Sequence, residues 1–301
     1  MSSFIRYEQA PVELTKAGSN ACTLVASSVT AGENLPLQAV RALGYNGAVA
    51  VAANGPVEGT WSTTYALIKN AVTSKGCLSG AIMSPDSDCD DFMSSAPLTW
   101  GSGEYISLKL GSSSIFTKGL ANSLSISIEP NAIVNATLGG NFYDGSIVTA
   151  AGSITAGTPV AGNGTLSVGH GSKSSGQSLG FGCDPFSASY EASRGFNPIY
   201  ALGSLDAKFV MVTDPQQSMT LQGENLPTQL SSGSCVAPTN ASMTVKDTCN
   251  NTVATLAVCG FVQSRDIEVA ENDVLRGNIT IVDYTGLQQS LDGAECGSGT
   301  S

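Results

Sequence analysis

Two segments of this chain read alike when set 159 places apart. Leu37–Pro56 is LQAVRALGYNGAVAVAANGP, and Phe196–Pro215 is FNPIYALGSLDAKFVMVTDP. Without a gap, Ala42-Leu43-Gly44 falls on Ala201-Leu202-Gly203, Ala48 on Ala207, Val51 on Val210 and Pro56 on Pro215. A second pair of segments lies later in each half. Ile126–Leu138 (ISIEPNAIVNATL) matches Ile267–Ile279 (IEVAENDVLRGNI), with Asn131 on Asn272. Ile128, Ile133, Val134 and Leu138 then fall on Val269, Val274, Leu275 and Ile279. Cysteines keep the same order: Cys22, Cys77 and Cys89 correspond to Cys183, Cys235 and Cys249. Three features in one order predict a duplicated unit. With 301 residues, that gives domains over 1–160 and 161–301, each near the usual domain size. The join is expected near Thr155–Gly180, whose Gly- and Ser-rich run reads as a linker or exposed loop.

Within each half the dominant local signal has a period of two. Thr60–Leu67 sets Trp61, Thr63 and Tyr65 on one side, and Tyr105–Leu110 sets Ile106, Leu108 and Leu110 on one face. Leu124–Ile128 alternates apolar residues with Ser. Ala48–Ala53, Ala207–Val212, Ser242–Val245, Thr252–Val258 and Asn278–Val282 complete a set of short strands punctuated by Gly, Asn, Asp and Pro. The only helical spacing is Leu67, Ile68, Ala71 and Val72, which predicts about two turns over Tyr65–Val72. The expected class is all-β: two tandem β-sandwich or barrel domains, each with at most one short helix.

Charge narrows the function. Asp, Glu, Lys and Arg together make up 12% of the residues, about half the usual share, and the net charge is −11. Sparse charge suits surfaces that neighbours cover in an assembly. The 13 scattered Lys and Arg do not form the basic cluster that gripping nucleic acid requires. An acidic surface beside DNA would instead repel phosphate and let the polymer slide; the same acidity also serves solubility alone. The longest apolar run, around Gly47–Ala53, is far short of the roughly 20 residues of a membrane-spanning helix. The first residues carry Glu8 where the apolar region of a secretion signal would lie, so synthesis in the cytoplasm is expected.

No catalytic constellation is assembled, and the chain is read as a non-enzyme. The single histidine, His170, sits in a Gly/Ser stretch and reads as exposed loop filler. Gly176-Gln-Ser-Leu-Gly180 has the spacing of a nucleophile elbow, but the only histidine precedes Ser178, and no helix is expected after it. Gly169-His-Gly-Ser-Lys-Ser174 lacks the Gly before Lys that a phosphate loop needs. Asp86, Asp88 and Asp90 alternate like the start of a calcium loop, yet positions 91 and 97 are Asp and Pro instead of Gly and Glu. An acidic turn is the expectation, with no metal or other cofactor. The eight cysteines include no C-x-x-C, which speaks against zinc. Cys77 with Cys89, and Cys235 with Cys249, are candidate disulfides closing comparable loops in the two halves. Buried free thiols are the alternative, favoured by a reducing cytoplasm.

The repeating blocks carry a resemblance. VRALGYNGAVAVAANGPVEGTWSTTYAL resembles an early segment of the tail tube subunits of tailed bacteriophages, and LANSLSISIEPNAIVNATL resembles the later strand pair of that family. Together they span about a third of the chain. The resemblance implies a β-sandwich or barrel whose strands join neighbours into a continuous inner wall, in rings stacked as a DNA-conducting tube. Most such subunits hold one copy of the domain and form hexamers, so two copies per chain imply a homo-oligomer of trimeric, pseudo-hexameric rings. Implied partners are the tail sheath, tail terminator and baseplate proteins, with no sequence-specific nucleic-acid binding and no membrane, and a place in the virion tail. The competing expectations are a neck, collar or capsid decoration protein, or a receptor-binding or adhesin module.

Overall fold

The computed structural model describes residues 12–16, 22–70, 98–99, 106–111, 113–143, 166–176, 185–204, 207–224, 239–269 and 275–283. The chain is all-β. In the first half run β1 (Val12–Lys16), β2 (Cys22–Asn34), β3 (Leu37–Val40), β4 (Ala50–Ala53), β5 (Glu58–Ala66), β6 (Ile68–Asn70), β7 (Leu98–Thr99), β8 (Ile106–Leu110), β9 (Ser113–Ile128) and β10 (Asn135–Phe142). Then come β11 (Leu166–Val168), β12 (His170–Gly176), β13 (Ser187–Tyr200), β14 (Ala207–Glu224), β15 (Thr239–Lys246), β16 (Thr252–Glu268) and β17 (Arg276–Asp283). Every strand segment expected from the alternation lies within or overlaps one of these.

Alternation decides which face each strand buries. In β5, Trp61, Thr63 and Tyr65 are 3% exposed or less while their neighbours face outward. On the partner strand β10, Ala136, Leu138 and Phe142 do the same. Trp61, Tyr65, Ala136, Leu138 and Phe142 join Leu14, Leu24, Leu108, Leu124 and Ile126 in one cluster, which continues into Tyr190, Met219, Leu221, Leu256 and Ile281 of the second half. β-Branched and aromatic residues at every second position fit this pleated, half-buried surface, and Ser or Thr between them keeps the other face polar.

The pairings of the first half close on themselves, in the order β10-β5-β2-β1-β8-β9 and back to β10. Two long strands make this possible. β2 pairs with β1 through its first residues and with β5 thereafter, with a register shift between Ala26 and Ser28. β9 pairs with β8 through its first half and with β10 through its second. Each long strand carries the chain from one sheet to another, as corners of orthogonal β packings do.

Among the described residues the strands of the second half follow the same order and registers, but their path ends at β12 and does not close. Leu37 stands opposite Ala53 in the β3–β4 hairpin, and Phe196 opposite Val212 in the β13–β14 hairpin, each residue 159 places on. Leu138 opposite Leu124 becomes Ile279 opposite Arg265, each 141 places on. Val29 opposite Thr63 becomes Ala188 opposite Leu221. The links β13-β14-β17-β16-β15-β12 thus mirror β2-β5-β10-β9-β8-β1. Even the hairpin turns agree. Tyr45 N–H donates to Ala42 O and Ser204 N–H to Ala201 O, with Gly44 at φ 87° and Gly203 at φ 83°. A type II turn requires such a left-handed residue at its third position, which is why both turns carry Gly there.

The halves are joined edge to edge: β9 pairs with β13, so both share a thirteen-stranded antiparallel sheet. Two shorter contacts also cross between them, β6 with β11 and β7 with β14.

Two expectations are corrected. No helix forms at Tyr65: residues 58–66 and 68–70 are strands, while Ala71 and Val72 lie outside the described residues. Leu67 and Ile68 are both buried because the strand turns a corner there, Leu67 N–H donating to Val134 O. Two adjacent buried residues at a strand corner imitate a helical stripe. The expected linker over Thr155–Gly180 also contains strands, β11 and β12. Its glycines serve close packing, since a Cβ on Gly171 would lie 1.7 Å from the Glu129 carbonyl oxygen.

Candidate functional surface

The shared sheet has one face in the core and one outside, and the outer face is chemically uniform. Along β5 it presents Thr60, Ser62 and Thr64; along β9, Ser123, Ser125 and Ser127. Ser187 and Ser189 follow on β13, Ser218, Thr220 and Gln222 on β14, then Asn278 and Thr280 on β17. Neighbouring side chains satisfy each other across strands. Thr64 Oγ1 and Thr137 Oγ1 are 3.1 Å apart, and Thr220 Oγ1 and Thr280 Oγ1 3.0 Å. Ser187 Oγ donates to Gln222 Oε1 at 3.1 Å. Directly opposed hydroxyls of this kind stabilise a sheet modestly and hold the surface in one arrangement.

The charges on this face are mostly negative: Glu58, Glu191, Asp266 and Glu268 against Arg276. Shallow hollows lined by Ser125, Thr137, Glu191 and Ser218, and by Ser127, Ser189, Thr220 and Asp266, break its relief without forming a deep cleft. The surface offers a phosphate polymer many weak hydrogen bonds and a repulsive field. Tight binding to nucleic acid requires the release of counterions by clustered cations, and this face does not supply them.

At one end of the face, Tyr200 Oη donates to Glu58 Oε1 at 3.1 Å. Burial, the bond to Glu58 and that carboxylate's charge push the Tyr200 phenol above its ordinary range. Tyr143, buried beside it, is pushed up to about 12, first by burial and then by the charge on Glu58. Tyr143 packs with Leu120, Ala207 and Val210 in a second apolar cluster, where the β13–β14 hairpin rests on the first half.

The residues singled out from sequence do not converge. Cys249 lies exposed with a free thiol in the turn after β15, and Cys77, Cys89 and Cys235 lie outside the described residues. In that turn Asp247 accepts Asn251 N–H at 2.7 Å and Asn251 Nδ2–H at 2.9 Å. The Asn251 side chain first, with further bonds from the Asn251 and Cys249 backbone and the Ser167 side chain, holds the Asp247 carboxyl below its usual value, against desolvation. His170 is not in a loop: it belongs to β12, opposite Lys246, and bridges to Ile133. Gly169-His-Gly-Ser-Lys-Ser174 is likewise mainly strand, and Ser178 and Asp86–Asp91 fall outside the described residues. Among the described residues no group of His, Cys, Asp and Glu is placed to hold a metal ion.

Sequence reasoning missed the hydroxyl-lined face itself. Its signal was present in the Ser and Thr that alternate with apolar residues in β5 and β9. The juxtaposition of β9 with β13, which merges two such faces into one, has no local signature. No protein-family model matches this chain, and no curated protein matches it significantly.

Proposed function

We propose that the chain is a non-catalytic structural subunit of a hollow virion assembly of the tail tube type, with the hydroxyl-rich face lining a channel that conducts DNA. One observation carries the reading: a sheet running through both halves whose outer face is Ser, Thr, Asn and Gln with a net negative charge. Such a wall hydrates readily, holds its side chains in cross-strand pairs and repels phosphate, so DNA slides along it without capture. The paired halves suit a ring of three chains with pseudo-sixfold symmetry. Stacked rings would present their ends to terminator and baseplate proteins, and their outer wall to a sheath, within the virion tail.

The test is negative-stain electron microscopy of the purified chain over a range of protein and salt concentrations, with electrophoretic retention of duplex DNA as a companion. Rings or tubes with an open centre, three chains per ring and no DNA retention are expected. A protein that stays monomeric at the highest concentration, or that retains DNA strongly at physiological salt, overturns the reading.

A further inference from the structure

The edge that joins the two halves has a counterpart that the described residues leave open. Inside the chain, Ala188, Tyr190 and Ala192 of β13 stand opposite Ile128, Ile126 and Leu124 of β9. All six are buried. The shared registers assign each a counterpart: Val29, Ala31 and Glu33 on β2, and Val269, Ile267 and Arg265 at the end of β16. Among the described residues, β2 from Val25 to Asn34 pairs only with β5, and β16 from Phe261 to Glu268 only with β17. The open position shows in the exposure. Ile267 and Val269 are 51% and 70% exposed, whereas Ile126 and Ile128 are 1% and 3% exposed.

We propose that β2 of one chain adds antiparallel to the end of β16 in a second copy, with Val29 opposite Val269, Ala31 opposite Ile267 and Glu33 opposite Arg265. The pairing repeats between chains the junction already made within one. Charge complementarity favours this occupant. The register derived from the inner junction sets a carboxylate against the one guanidinium on that edge, and among the described residues Arg265 Nε is enclosed without a hydrogen-bond partner. The open backbone edges are satisfied at the same time, which removes the hazard that unpaired edges carry.

A second contact points to the same partner. Within the chain, the β13–β14 hairpin lays Val210, fully buried, on Leu120. Its counterpart, the β3–β4 hairpin, has no such support: Leu37 and Val51 are 63% and 61% exposed. The counterpart of Leu120 is Phe261, beside the open end of β16. Strand addition therefore brings Val51 over Phe261 as Val210 lies over Leu120. Each copy offers one donor edge and one acceptor edge, so the contact is heterologous and closes into rings when the rotation permits. The closed ring rests on the assembly reading given above, while the register rests on the inner junction alone.

Sedimentation velocity of the full chain over a wide concentration range tests this, with Ile267→Lys, Glu33→Arg, Arg265→Glu and the double reversal compared with the wild type. Ile267 is exposed in the single chain, so circular dichroism of Ile267→Lys should be unchanged. Self-association should weaken about thirtyfold or more, as for loss of a central interface contact. Each single charge reversal should weaken it roughly fivefold, and the double reversal should restore it. If the wild type assembles and all variants assemble equally well, the register is overturned and the assembly reading stands. If the wild type never associates, both fall together.

Discussion

The same residue type at two positions equivalent by register gives the sharpest test. Ile126 and Ile267 occupy matching places on β9 and β16, but Ile126 is covered by β13 at 1% exposure and Ile267 is 51% exposed. Truncating a fully buried Ile to Ala costs roughly 2–5 kcal/mol, so Ile126→Ala should lose about 3 kcal/mol. A fully buried Ile contributes roughly 1.5–3 kcal/mol, and half of that, about 1 kcal/mol, is at stake at Ile267 in the isolated chain. The gap of about 2 kcal/mol corresponds to roughly a thirtyfold difference in the unfolding equilibrium. Urea unfolding, followed by circular dichroism at a concentration low enough to keep the chain monomeric, measures both variants. At concentrations where copies associate, Ile267→Ala should become more costly, because association buries the site and adds to stability by mass action. Equal losses for both variants in the dilute monomer would refute the reasoning, since they would mean that the edge of β16 is already covered.

Three further outcomes are expected. A Cβ on Gly59 would lie 1.9 Å from the Phe142 ring, which crosses the glycine on the adjacent strand. Gly59→Ala should therefore displace that ring and cost about 1–3 kcal/mol, read as a lowered urea midpoint. Asp247 is held below its ordinary pKa, so its contribution to stability is present above about pH 4 and is lost as the pH falls through the folded-state value. Asp247→Asn should flatten that acid-side loss in denaturation midpoints measured against pH. Tyr65 and Tyr190 are pushed above the ordinary phenol value, mainly by burial. Their contribution is full below about pH 10 and disappears as the pH rises through their folded values. Spectrophotometric titration should show these two phenols ionising only with unfolding.

The sequence by itself determined the all-β class. Alternation of period two is imposed by the strand's own geometry, so Trp61, Thr63 and Tyr65 could be assigned to one face before any partner was known. The offsets of 159 and 141 likewise describe real registers, because cross-strand pairing preserves sequence spacing wherever no bulge intervenes. Only the tertiary structure decided what lies against each edge. Nothing local distinguishes Leu67 and Ile68 at a strand corner from the start of a helix. A run of Ser and Gly reads as a loop until Gly171 is seen pressed against the Glu129 carbonyl. Ile126 and Ile267 look alike in their segments, yet one is core and the other surface, because β13 pairs with β9 while, among the described residues, the outer edge at the end of β16 has no strand beside it. Burial is a property of which edges meet. That depends on contacts far apart in sequence, which no window along the chain contains.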